Sequence, residues 1–277
     1  MNRETAWCPG CGNFSIRRAL VKALAELDLS PEQVTLFTGI GQAAKMPHYI
    51  RVNAFNGLHG RALPAALGMR IANPDMKVIV ESGDGDTYGE GGNHLLHNIR
   101  RNPDISHLVH NNQIYGLTKG QASPTSEYVL KTAVQPGGVK SDPFNPVLFA
   151  VAMKASFVAR ASVTEEEHLK EMIKAAINHK GYALIDILQP CVTFNRINTY
   201  QWYSERVYKL EEDYNPADWT AALKKAAEWG ERIPIGIIYK EEKATFREKI
   251  GHLKESKILA GKRVEPAERE YLLDEFR

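Results

Sequence analysis

KVIVESGDGDTYGEGGNHLLHNIRRNPDISHLVHNNQIYG, residues 77–116, is the stretch that decides the fold. Lys77-Val-Ile-Val-Glu81 is a short apolar, β-branched run, and it breaks into Gly83-Asp-Gly-Asp86. Ile105 to His110 is a second such run, and it breaks into Asn111-Asn112. The segment between them reads as a helix that ends in Arg100-Arg101, a charge pair favoured at a helix C-terminus. His94 and His97 are three apart on that helix but lack Asp or Cys partners nearby, so they read as packing residues rather than ligands.

The same alternation extends in both directions. Upstream, Ile16, Ala19, Leu20, Ala23, Leu24 and Leu27 repeat at helical spacing, and Val34 to Phe37 reads as a strand ending at Gly39-Ile-Gly41. Arg61 to Ala72 reads as a helix stopped by Asn73-Pro74. Downstream, Val147 to Lys154 reads as helix and Ser156 to Ala159 as extended. Thr164-Glu-Glu-Glu167 opens a helix with a capping-box pattern, and Gly181 closes it. Tyr182 to Leu188 is a last strand, ending at Gln189-Pro-Cys191. Strands alternating with helices predict an α/β fold, with a mostly parallel sheet covered by helices on both faces. Ligands bind beyond the carboxyl ends of such strands, which here carry GIG, GDGD, NN and PC. Residues 1–195 read as one domain. Residues 196–277 read as a charged, loosely helical C-terminal tail that packs on the core or on a partner, opened by the aromatic run Tyr200-Gln-Trp-Tyr203.

Composition narrows the function. The 277 residues carry a net charge of +2, which speaks against a nucleic-acid surface and for small molecules or proteins as partners. No run reaches the ~18 apolar residues of a membrane span. MNRETAWCPG has no apolar signal core, so a cytoplasmic protein is expected. The three cysteines, an odd number, suit a metal or cluster in a reducing compartment better than disulfides.

Two motifs carry chemistry. Asn112 follows Asp84 by 28 residues, enough for a helix and a strand to bring the chain back beside its start. A carboxylate at one strand end and an amide oxygen at the next supply hard oxygen ligands for magnesium, and the glycines let backbone N–H groups approach a diphosphate. Alone, Gly-Asp-Gly is an ordinary turn; the preceding strand and NNQIYG at that interval give it meaning. Cys8-Pro-Gly-Cys11 can bring two thiolates to one metal or cluster, a pattern shared by zinc sites, clusters and redox dithiols. Cys191 is the remaining thiol.

GDG followed at this interval by NN is the thiamine-diphosphate signature. Together with WCPGCGN near the start, HGRALP at 59–64, YGLTKGQASPT and QPC at 189–191, it resembles the β subunit of 2-oxoacid:ferredoxin oxidoreductases, over residues 6 to 210. The resemblance implies the diphosphate half of a thiamine-diphosphate-binding fold. It implies CoA-dependent oxidative decarboxylation of a 2-oxoacid, with electrons passed to ferredoxin and an α subunit as partner. Position by position, it implies Asp84, Asn112 and the main-chain carbonyl of Ile114 as magnesium ligands. Gly85, Asp86, Gly116 and Leu117 would line the diphosphate. Ile40, Gly41, Gln42 and Ala43 would pass near the thiazolium, and His59 would face the cofactor. Cys8, Cys11 and Cys191 would hold an iron–sulfur cluster of the [4Fe–4S] type. The family usually reads Gly-Ile-Gly-Cys where this chain reads Gly39-Ile-Gly41-Gln42, so the fourth cluster ligand is not identified.

No catalytic residue is assigned within the chain; His59 and Lys45 are the candidates, Lys45 as a cation for a substrate carboxylate or CoA. The carboxylate that activates thiamine is implied on another subunit. The chain alone is therefore expected to be inactive, with Tyr200 to Tyr203 available for contacts at the interface. Within the resemblance, the NTYQWYSERVYKL segment at 198–210 and the two-subunit look favour 2-oxoglutarate, with pyruvate next and branched 2-oxoacids still open. A non-redox thiamine decarboxylase or carboligase subunit is one alternative, with no use for the three thiols. A non-catalytic iron–sulfur or zinc-binding electron-transfer module is another, and it predicts no thiamine binding.

Overall fold

The computed structural model describes residues 5–251, 253, 270, 271 and 273–275. Helix α1 (Asn13–Glu26) leads into strand β1 (Val34–Thr38), then β2 (Asn53–Asn56), helix α2 (Ala62–Ala72) and β3 (Lys77–Gly83). Helix α3 (Gly92–Arg101) connects to β4 (Ile105–Asn111), and a small hairpin follows, β5 (Ile114–Tyr115) with β6 (Gln121–Ala122). Helix α4 (Pro146–Ala152), β7 (Phe157–Ser162), α5 (Glu166–Asn178) and β8 (Tyr182–Leu188) complete the expected alternation. Beyond them come α6 (Tyr200–Ser204), β9 (Val207–Lys209), α7 (Trp219–Ala227), β10 (Ile233–Lys240) and α8 (Phe246–Lys249).

Eight strands form one sheet in the order β2-β1-β3-β4-β8-β7-β10-β9. β2, β1, β3, β4, β8 and β7 run parallel to their neighbours; β10 is antiparallel to β7 and parallel to β9. The fold is thus the α/β, mostly parallel architecture the sequence predicts. β4 and β8 are buried along their whole length, because helices cover both faces. One face packs Ile16, Leu20 and Leu24 of α1 and Leu169 and Ile173 of α5 onto Leu36, Leu108 and Ile185. The other packs Leu63 and Ala66 of α2, Leu95 of α3, Val147 of α4 and Ala222 of α7 onto Val80, Val109 and Leu184. Each such large aliphatic side chain contributes about 1.5–3 kcal/mol when fully buried. No helix among the described residues is long and apolar enough to cross a membrane.

Three sequence expectations change. The segment after residue 195 is not merely loosely helical, since Ile233–Lys240 joins the main sheet beside β7 and carries β9 on its outer side. Its interior Pro234 and Gly236 disguise it in the sequence; both are tolerated because the strand pairs near the sheet's edge, with a register irregularity. The aromatic run of α6 divides: Tyr203 is fully buried, whereas Trp202, packed on Trp229, and Tyr200, whose Oη donates to the Gly10 carbonyl, stay partly exposed. The capping box at Thr164 does not form. Its hydroxyl bonds Ser162 Oγ at 2.7 Å, and α5 begins at Glu166 without a side-chain cap.

Candidate functional site

β1 pairs with β2 on one side and β3 on the other, so the chain reverses its direction of travel across the sheet at β1. In open α/β sheets ligands collect beyond the carboxyl ends at such a point. There the loops after β1, β2, β3 and β4 line one shallow pocket of about 60 Å3. Its walls include Ile40, Gly41, Gln42 and Ala43 from the first loop, His59, Asp84, Gly85 and Asp86 from the second and third, and Asn112, Ile114, Gly116 and Leu117 from the fourth. Every residue that the family resemblance implies for the thiamine cofactor or for magnesium lies on this wall. Lys45 does not. It stands on the short helical turn Ala43–His48, outside the pocket lining.

Asp84 is 1% exposed. Its Oδ2 accepts from Ser123 Oγ and, at 2.8 Å, from Thr125 Oγ1. Both hydroxyls fall on the same oxygen, which leaves Oδ1 with no side-chain donor among the described residues. Burial raises the carboxyl to about 6, against the pull of those hydroxyls. The chain after it, Gly85–Glu90, winds into a π-helical turn, a form concentrated at functional sites. Added Cβ atoms on Gly41 or Gly83 would meet nothing within 4 Å, so both glycines face open space. On Gly85 a Cβ would lie 2.2 Å from Tyr115, so only glycine lets these loops approach.

Asp86 ties the loops together. Its Oδ1 accepts from the backbone N–H groups of Ile40 and Gly60, each at 2.9 Å, and its pKa is raised by burial. His59 Nδ1 stands 2.8 Å from the same oxygen and works against the burial that raises this carboxyl. Asn112 Oδ1 accepts from Ile114 N at 3.0 Å, turning the amide onto its own loop. Thr125 also reaches Asn111 Oδ1 at 2.8 Å, and Gln113 Nε2 donates to the Thr125 carbonyl at 3.0 Å. Sequence reasoning missed Ser123 and Thr125. They lie in the GQASPT block, where the sequence shows a family marker but not the carboxylate 39 and 41 residues upstream.

The thiols occupy a neighbouring corner. Trp7 Nε1 donates to the Gln42 carbonyl at 2.9 Å, and Cys11 N donates to the Cys8 carbonyl at 3.0 Å, closing the CPGC turn beside the first loop. Cys191 follows β8 and packs with Ile114 and Phe194. All three cysteines are free, and Cys8 Sγ accepts from Thr193 Oγ1 at 3.2 Å. Burial raises the Cys11 thiol to about 11, with smaller contributions from the nearby Cys191 and Cys8. Among the described residues no three His, Cys, Asp or Glu side chains stand close enough to hold a metal. The Gln42 side-chain oxygen is buried without a partner.

Residues 35–187 match the family described as thiamine pyrophosphate enzyme, C-terminal TPP binding domain, and residues 191–255 match the C-terminal family of the pyruvate ferredoxin oxidoreductase beta subunit. A 2-oxoacid:ferredoxin oxidoreductase subunit beta of Aeropyrum pernix is 48% identical over 88% of this chain and 80% of its own length. The chain belongs to the β subunits of 2-oxoacid:ferredoxin oxidoreductases. A β subunit of Saccharolobus solfataricus is 47% identical over 88% of this chain and 85% of its own length. The 2-oxoglutarate synthase subunit KorB of Methanocaldococcus jannaschii is 34% identical over 89% and 92%. The solved 2-oxoglutarate:ferredoxin oxidoreductase from Magnetococcus marinus, with 2-oxoglutarate, coenzyme A and succinyl-CoA bound, superposes with a TM-score of 0.90. It is 35% identical, over 99% of this chain and 93% of that one. This β subunit is therefore part of an enzyme, and most of the loops just described fall within its TPP binding domain.

Proposed function

We propose that this β subunit holds the diphosphate of thiamine diphosphate through magnesium, in an enzyme that oxidatively decarboxylates 2-oxoglutarate to a CoA thioester and passes electrons to ferredoxin. The observation that carries the reading is Asp84. A buried carboxylate that gathers the Ser123 and Thr125 hydroxyls and the Gly85 N–H is the anionic anchor of the pocket wall, and a cation there would offset the burial that raises its pKa. Asn112 and the Ile114 carbonyl complete a hard-oxygen set on the same pocket wall. Magnesium would bind there and neutralise the diphosphate. Thiamine diphosphate supplies, when bound, the carbon nucleophile and electron sink for decarboxylation.

The chain's own residues position and shield. Asp86 fixes the first loop through Ile40 and the Gly60 turn through its N–H, so the wall keeps its shape. Tyr115, half-buried, shields the approach to Gly85 and donates to the Gly85 carbonyl at 3.2 Å. The pocket is too shallow to enclose a whole cofactor, which supports an α subunit as the other wall. Cys8, Cys11 and Cys191 are the right chemistry for an iron–sulfur cluster and would hold one after drawing together, with the Gln42 main chain tied to Trp7, the residue before Cys8. The 2-oxoglutarate and CoA assignment rests on the ligands named for the Magnetococcus marinus enzyme and on the KorB relatives. Free thiols throughout favour a cytoplasmic setting.

The test is to purify the assembled enzyme anaerobically, titrate it with thiamine diphosphate with and without magnesium, and assay a panel of 2-oxoacids with CoA and ferredoxin. Magnesium-dependent binding and CoA-dependent turnover, highest on 2-oxoglutarate, are expected. Turnover without CoA or an electron acceptor would instead favour a non-redox decarboxylase, and absence of iron and acid-labile sulfide would remove the cluster.

A further inference from the structure

A second cavity, of about 240 Å3, has no wall residue in common with the diphosphate pocket. Its floor is the sheet itself: Asn111 of β4, Arg160 of β7 and Asp186 of β8. Its other walls are Gln113, Thr125, the run Pro143 to Pro146, and Trp229.

The polar groups in it are deeply buried and incompletely matched. Arg160 is 1% exposed. Among the described residues its Nη atoms donate only to main-chain carbonyls, those of Ala226 at 3.1 Å and of Glu228 and Pro234 at 3.4 Å, its Nε has no hydrogen-bond partner, and the guanidinium lies 5.7 Å from the centre of the Trp229 ring. Asp186, also 1% exposed, accepts from Tyr88 Oη at 2.8 Å and from Asn111 Nδ2 at 3.1 Å. Asp186 acts on Arg160 through space, and among the described residues Arg160 makes no direct ion pair. Gln113 is 1% exposed, and its Oε1 has no partner. A buried cation without a carboxylate at contact, lining the same cavity as an orphan acceptor, is costly unless something bridges them.

We propose that this cavity is a second ligand site, for a short carboxylic acid that also carries an amino or hydroxyl donor. The ligand carboxylate accepts from Arg160 Nε, and its donor reaches Gln113 Oε1 with Asp186 close by. The carbon skeleton lies against Phe144, Pro146 and Trp229. Water can bridge the polar pair, but a ligand with a carbon skeleton would also cover the apolar walls.

The test uses the assembled enzyme, saturated with magnesium and thiamine diphosphate so that the diphosphate pocket is filled. Calorimetry with L-alanine, L-leucine and lactate is compared with propionate, which lacks the donor, and propylamine, which lacks the carboxylate. Saturable binding of at least one of the first three is expected, with propionate about tenfold weaker, as one lost hydrogen bond implies, and propylamine not binding. Arg160→Met should abolish binding. Because that change can unfold the chain, Phe144→Trp is the second variant: it keeps every polar group, fills the cavity, and should also abolish binding. The proposal is overturned if none of the three acids binds, or if binding survives Phe144→Trp in a folded enzyme. A structure with a partner-subunit side chain seated on Arg160 would also overturn it.

Discussion

Asp84 stands in the folded chain with two hydroxyls already on one oxygen, whereas Cys8, Cys11 and Cys191 share a corner without closing on one another. The difference follows from charge. A carboxylate is ionised near neutral pH unless burial prevents it, so a buried one must meet donors in the protein itself. A thiol is neutral at that pH, and burial keeps Cys11 more so, near 11. It can wait for a metal, whose arrival displaces the proton. On the proposed reading, the hard-oxygen corner is prepared by the fold, and the soft-sulfur corner would be completed by what binds.

The largest effect should come from the prepared corner itself. Asp84→Ala is expected to weaken magnesium-dependent thiamine diphosphate binding by more than about 100-fold, beyond the usual cost of losing a supporting residue. Asn112→Ala should cost less, because water replaces an amide oxygen. Normal affinity in Asp84→Ala, read by calorimetry, would remove the assignment.

Next in size is the support. Ser123→Ala with Thr125→Val should cost about 10–100-fold in metal-dependent affinity, the range for partners of a metal ligand. Cys8→Ser should leave that affinity within about twofold while lowering iron content. If both variants lose cofactor equally, the two corners are one unit and the contrast between them fails.

Acidity sharpens the contrast further. The Asp84 carboxyl is raised to about 6 in the folded chain from 3.8, so between those values the native state binds the proton more tightly than the unfolded one. For the cofactor-free protein this group therefore costs stability as pH rises from about 4 to about 6, and the cost is full above that. Asp84→Asn should raise the denaturation midpoint of the cofactor-free enzyme at pH 8, but not at pH 4, while abolishing metal binding. For the loaded enzyme the proton competes with the metal, and affinity should fall by up to about tenfold per unit below pH 6. A pH-independent affinity between 5 and 8 would show that Asp84 is not the ligand.

The smallest effect on the cofactor is expected at Gln42. Gln42→Cys should leave thiamine diphosphate affinity unchanged but supply a fourth thiolate, giving a cluster whose iron content resists oxidation better than the parent's. Electron paramagnetic resonance before and after air exposure checks this. An oxidation-resistant four-iron signal in the parent, unaltered by the substitution, would mean that the fourth ligand lies elsewhere.

Much of this was legible in the residues. The runs at 34–37, 77–81, 105–110 and 182–188 are each apolar and β-branched, and each ends in a turn motif, so strand positions and strand-end loops could be placed from local pattern alone. Residues 233–240 escaped because Pro234 and Gly236 interrupt the pattern and the charged flanks outweigh it. By itself, then, the sequence determined the alternation, the parallel core, and which loops carry aspartate, asparagine and thiol. Tertiary structure decided the rest. It turned Tyr203 inward, set Asp86 on the Ile40 and Gly60 amides, put Ser123 and Thr125 on one oxygen of Asp84, and left Arg160 facing a cavity without an ion pair. The physical reason is range. Periodicity and turn chemistry act within a few residues, but a buried charge takes its partners from wherever the packed chain brings a donor, and that placement exists only once the sheet has closed.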